Sequence, residues 1–263
     1  MIPIFDTLAH PTLTGRWLES GKDAGFDTLA ASLRKSEYVG AAAVGICGVE
    51  GYADERFIAE CRRHGPLVPV AGFNPAHERS IGEELQRLRA LGYGAIKIHP
   101  RYTGMDIASR AFGETLAAAA EHGLVVFYCT YMHCGIERYP GQDPLFALVR
   151  ALKAAPAAKV VLLHGGDVRV LEYAELVRFN PNLILDLSMT IMKYAGSSLD
   201  ADLAFLFRQF DRRICIGSDH PEYGHAELRA RFEELAHGIA REKAENIAFR
   251  NITAFLGGET MIR

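Results

Sequence analysis

The sequence has no basic block, no acidic tail, no paired CxxC cysteines and a single tryptophan in 263 residues. With a formal net charge of −3 and no clustering behind it, the chain lacks the electrostatic footprint for nucleic acid or an anionic membrane. A small-molecule partner is expected instead. No apolar stretch reaches the roughly 18 residues of a membrane span, and Met1-Ile2-Pro3-Ile4 lacks the basic region and long apolar segment of a secretory signal. The expected location is cytoplasmic. Five cysteines (Cys47, Cys61, Cys129, Cys134, Cys215) are an odd number, three of them inside apolar runs, which points to reduced thiols and not a disulfide framework. The glycine-rich phosphate fingerprint is missing after the first apolar run, which counts against an open, doubly wound nucleotide-binding sheet.

What the chain does have is apolar residues, about half of its composition, arranged in short runs with amphipathic stretches between them. The runs cover 4–10, 41–47, 67–73, 94–100, 124–130, 159–165, 183–188 and 214–219. Segment 83–91 is typical of the intervening stretches: its apolar residues recur at three- and four-residue steps and it stops at Gly92. Eight such units in alternation predict one α/β domain over residues 1–263, a (β/α)8 TIM barrel, with an extra C-terminal helix over 241–255 across its outside or bottom. No repeat, low-complexity tract or linker marks a second domain.

His10, His164 and Asp219 each end an apolar run. In a parallel barrel those ends converge at one mouth, where such enzymes build their active sites. A carboxylate there can ligate a metal and take a proton from bound water, or it can cap a loop through an Asx turn. His164 can equally be a ligand, a transition-state donor or a satisfied core histidine. Lys97 and His99 are two apart and share a face of the fourth run. The loop after the fifth run holds Tyr131, Met132, His133 and Tyr139 just beyond Tyr128. These rings can stack on a substrate or simply fold the loop onto the rim. His133 and His220 are further candidates for a ligand or a general acid. Leu206, Phe207 and Phe210 on a late helix would serve either a homo-oligomer contact or the barrel core.

The chain resembles the amidohydrolase superfamily, in particular the amidohydrolase-2 branch of TIM-barrel hydrolases and decarboxylases. The resemblance is carried by Phe5-Asp6-Thr7-Leu8-Ala9-His10, Gly94-Ala95-Ile96-Lys97-Ile98-His99-Pro100, Leu162-Leu163-His164-Gly165-Gly166, the segment Asn182 to Ser188 with Asp186 in it, and Gly217-Ser218-Asp219-His220-Pro221, in that order over nearly the whole chain. It implies a divalent metal, most often zinc, held by His10, His164 and Asp219. Two positions depart from the family pattern. Leu8 stands where the first histidine of an Asp-x-His-x-His motif belongs, and Cys129 occupies the place of the strand-five histidine. Leucine ligates nothing; a cysteine thiolate can bind zinc, or Cys129 can be a small buried hydrophobe. The resemblance also turns Lys97 inward, toward a substrate carboxylate or Asp219. Asp219, His164 and Lys97 are the expected catalytic set, with Lys97, His99, Arg101, Tyr131 and His220 expected around the substrate. Asp186 would orient His164 or Lys97.

The expected activity is hydrolysis of an amide, lactone or similar carbonyl bond in a small, polar, anionic molecule. With a metal, the ion activates water for Asp219; without one, Asp219 works alone in the field of Lys97, His99 and His164. Decarboxylation by the same fold, or a barrel that has lost catalysis and serves as a binding subunit, are the alternatives.

Overall fold

The computed structural model describes residues 1–76, 79–136 and 141–258. Eight parallel strands pair in chain order: β1 (Ile4–Ala9), β2 (Tyr38–Val44), β3 (Leu67–Phe73), β4 (Ala95–Ile98), β5 (Val125–Cys129), β6 (Val160–Leu163), β7 (Leu183–Asp186) and β8 (Ile214–Cys215). Helices fill the connections, so the architecture is the expected (β/α)8 barrel. Capping explains where they start and stop. Helix Ile81–Leu91 opens on a box in which Ser80 and Glu83 satisfy each other's backbone N–H, and it closes on Gly92 at φ 103°.

Both faces of these strands are buried, and alternation sorts their side chains. Phe5, Val44, Val70, Ala95, Phe127 and Leu163 point into the barrel, whereas Ile96, Ile98, Val126, Tyr128 and Leu162 join the layer under the helices. Continuing the inward series on β4 past Ala95 brings Lys97 and then His99 to the mouth. On β5 it brings Cys129. β1 breaks step: its pairing with β2 shifts between Asp6 and Ala9, so Leu8 joins the interior cluster and His10 faces inward above it.

The eighth run was expected to be a strand to Asp219, but regular pairing ends at Cys215. The reason is the seam between β1 and β8, which the Asp6 carboxylate closes in place of a full ladder. It accepts from Leu8 N (3.1 Å), Ser218 N (2.8 Å), Ser218 Oγ (2.5 Å) and His225 Nε2 (2.9 Å). Backbone bonds complete the join: Thr7 N to Ile216 O at 3.1 Å, Asp219 N to Leu8 O at 2.9 Å and His10 N to His220 O at 2.8 Å. Position 217 must be glycine, because a Cβ would lie 2.8 Å from Leu8 N.

The C-terminal helix runs over Arg241–Glu245, a π turn at Asn246–Arg250 and Asn251–Phe255. Its Ile252, with Leu256 just beyond, plugs the lower end of the barrel, and Asn251 donates to Asp211 O and Ile214 O. Leu206, Phe207 and Phe210 are buried in the chain's own core, so the oligomer contact considered for them is not available. All five cysteines are free thiols. Among the described residues no helix is long and apolar enough to cross a membrane.

Removing the Asp6 carboxylate leaves four buried donors without their acceptor. Asp6→Ala is expected to lower the unfolding free energy by about 3–5 kcal/mol in urea titrations. A loss under about 1 kcal/mol would show that the seam closes without it.

Candidate active site

At the C-terminal end of the strands lies a cavity of about 600 Å³ whose walls include His10, Lys97, His99, Arg101, Tyr131, His164 and Asp219. The residues that sequence reasoning placed at the ends of four different strands therefore do share one space. Four non-glycine residues on its wall, Leu18, His164, Met189 and Asp219, hold positive φ of 38°, 65°, 60° and 55°. Strained backbone of this kind persists only where surrounding structure over-determines it, and it concentrates at functional sites.

His10 is fixed on three sides. Its Nδ1 lies 2.7 Å from Val44 O, to which it donates, and its ring stacks on Trp17 at 5.0 Å and 14°. Nε2 is therefore the unprotonated nitrogen. The Lys97 ammonium donates to it at 3.2 Å, and Asp219 Oδ1 stands 3.5 Å away. Burial, and then the charge of Lys97, holds the His10 pKa down at about 4, so the ring is neutral at physiological pH.

Lys97 is 2% exposed and makes no ion pair with a carboxylate among the described residues. Burial lowers its pKa, while Cys129, Asp219 and Asp186 pull it back up. Asp219 is pulled two ways as well. Burial would raise its pKa, but the charges of His164 and Lys97 hold the carboxyl well below the usual carboxylate range.

His164 is oriented from behind. Its Nδ1 lies 3.2 Å from Ser188 O and 3.3 Å from Ser188 Oγ, and the Ser188 hydroxyl in turn donates to Asp186. Asp186 thus acts on His164 through Ser188. Burial lowers the His164 pKa, yet the negative charges of Cys129 and Asp219 carry it to about 9. Burial likewise would raise the Cys129 thiol, but His99 and His164 hold it well below its ordinary range. Each of the two thus favours the charged form of the other.

Several expected neighbours lie elsewhere. His220 is not on the cavity wall: it stacks on His225 at 5.3 Å, its buried Nε2 has no partner, and burial followed by the charge of His225 lowers its pKa to about 4. His133 turns to Asp167, 3.0 Å away. Tyr128 packs against Phe112 on the helix side of β5. Tyr139 lies outside the described residues. Conversely, Trp17, Glu222 and Lys193 were missed. Trp17 sits on a two-stranded ribbon (Arg16–Trp17 with Lys22–Asp23) and donates from Nε1 to Glu222 at 2.6 Å, while Lys193 donates to the Tyr131 hydroxyl at 2.8 Å. A lone tryptophan in a polar loop after the first strand was the only signal for any of the three.

With this geometry in hand, the family model for amidohydrolases matches residues 5–257. The chain belongs to the amidohydrolase family. Crystal structures of similar fold include an uncharacterised TIM-barrel protein of Bordetella bronchiseptica (18% identity, 97% of this chain and 98% of that one, TM-score 0.77). A candidate 2-pyrone-4,6-dicarboxylic acid hydrolase of Pseudomonas putida is similar at 19% identity, 98% and 99% coverage and TM-score 0.70. So is 5-carboxyvanillate decarboxylase of Sphingomonas paucimobilis at 13% identity, 97% and 99% coverage and TM-score 0.67. No curated protein matches the chain.

Amidohydrolases often hold a divalent metal, so the donor set must be tested for one. It does not fit. Leu8 is part of the apolar interior, and the free nitrogen of His10 is taken by an ammonium group. Cys129 is only 1% exposed, set between His99 and His164. Among the described residues no three His, Cys, Asp or Glu side chains group closely enough to share an ion. A catalytic metal needs three protein ligands and an open position.

Two outcomes follow. Protein incubated with zinc and dialysed is expected to retain far less than one equivalent by elemental analysis; a stoichiometric content lost in His10→Ala would reverse the assignment. His10 and His220 both have folded pKa values near 4, below the ordinary 6.5. The unfolded chain therefore binds protons first, and stability that is full above pH 6.5 falls as pH drops toward 4, by up to about 3 kcal/mol for each histidine. Urea titrations at stepped pH check this, with His220→Phe expected to remove about half of the slope.

Proposed function

We propose that the protein hydrolyses a lactone, ester or amide carbonyl in a small anionic molecule, without a metal. The observation that carries this reading is the environment of Asp219. Its carboxylate stands at the cavity wall beside His10 Nε2, in the field of Lys97 and His164, and is held ionised by them. An ionised carboxylate at a barrel mouth is a base. Hydrolysis needs such a group to take a proton from water as the oxygen adds to carbon.

In this mechanism Asp219 accepts a proton from water as the oxygen adds to the carbonyl carbon. Negative charge then moves to the carbonyl oxygen, where the buried Lys97 ammonium and the His164 imidazolium stabilise it in a site of low dielectric. The tetrahedral intermediate collapses and the C–O or C–N bond breaks. The leaving oxygen or nitrogen departs with the proton that Asp219 holds, which restores the carboxylate. Arg101, exposed on the wall with its guanidinium 4.9 Å over the Tyr131 ring, would receive a substrate carboxylate.

A buried lysine without a carboxylate partner also speaks against a barrel that has lost its chemistry, since an unused charge there only costs stability.

The test is a pH-stat screen of lactones and esters bearing a carboxylate, in the presence of a chelator. Asp219→Asn is expected to lower kcat by about 10²–10⁴-fold with little change in KM. Folded protein that turns over none of the panel, or activity surviving in Asp219→Asn, would refute the reading.

A further inference from the structure

Beside the mouth is a second cavity of about 290 Å³, walled by Pro100, Met105, Ile107 and Met132. It shares Arg101 and Cys134 with the main cavity, so the two spaces meet at those side chains. Its floor is fixed, because Ile107 and Met132 belong to the buried core. The guanidinium of Arg101 stands at the junction and makes no ion pair among the described residues.

We propose that this side cavity is the subsite for a neutral, apolar arm of the substrate, carried on the same molecule whose carboxylate meets Arg101. The inference rests on the reading of the mouth as an anion site and adds what lies beyond it. Pro100, Met105, Ile107 and Met132 offer nothing for a polar group to bond, so a polar arm laid against those four side chains would be desolvated without compensation. Asp106, also on this wall, adds a negative charge; its carboxylate accepts from Ala108 N at 2.8 Å. A second carboxylate on the substrate would meet like charge there. The ligand class is therefore a monocarboxylate with a short alkyl or single-ring arm, and a dicarboxylate is disfavoured.

Trp17 is the only tryptophan of the chain and lines the mouth, so its fluorescence reports occupancy. Titrations would run from acetate to hexanoate, with glutarate as the dicarboxylate of pentanoate's length. In the wild type the dissociation constant is expected to fall about three- to fourfold per added methylene, with glutarate at least tenfold weaker than pentanoate. In Met105→Glu, at a half-buried position outside the catalytic set, the series should become flat while acetate is unchanged. A flat wild-type series, or glutarate binding as tightly as pentanoate, overturns the apolar arm and leaves the anion site standing. No response to any carboxylate overturns both. Should Met105→Glu fail to fold, the wild-type comparison of pentanoate with glutarate decides alone.

Discussion

The carboxylate of Asp6 is the fastening on which the site depends. β8 is too short to form a ladder with β1, and four donors from Leu8, Ser218 and His225 converge on this one acidic group instead. Because Ser218 is held there, the next residue, Asp219, is forced to φ 55° with its N–H on Leu8 O. That brings its side chain to the cavity wall beside His10. The closing of the barrel and the placing of Asp219 are thus one interaction. The same carboxylate reaches outward through His225, whose Nδ1 lies 2.8 Å from Ser32 Oγ, and so ties two outer helices to the first strand.

Within the mouth, the governing fact is a positive charge where a metal ion would be expected. Amidohydrolases often use a divalent cation to polarise a carbonyl and to favour deprotonated water. Here Leu8 has removed one donor, and the Lys97 ammonium lies against the nitrogen that would have served as another. An ammonium group carries half the charge of a divalent ion and cannot bind water as a Lewis acid. It can, however, hold Asp219 ionised and stabilise an oxyanion in a site that excludes most solvent. His164, whose pKa is carried up to about 9 beside Cys129 and Asp219, is oriented by Ser188 and Asp186.

Much of this was legible in the sequence because parallel strands buried on both faces announce themselves as apolar runs, and His10, His164 and Asp219 each close one. The direction of Lys97 was not legible from its own run: with isoleucine on either side and histidine two residues on, neither face looks polar or apolar. It follows only once Ile96 and Ile98 are seen under the helices. The shift in β1 is equally silent, since it depends on pairing between Asp6 and Ala9 and not on composition. Trp17 and Glu222 are 205 residues apart, and nothing local to either foretells their bond. His220 misled for the opposite reason. It follows Asp219 directly, yet its ring turns away to stack on His225.

The most direct test is the protonation of His10, read from its imidazole ¹⁵N resonances across pH in wild type and in Lys97→Met. The account requires a neutral ring with the proton on Nδ1 from pH 8 down to about 5, and a rise in the His10 pKa when the ammonium is removed. A ring already protonated at pH 7, or one indifferent to Lys97→Met, would mean that the lysine does not occupy the place assigned to it and that the chemistry of the mouth is organised in another way.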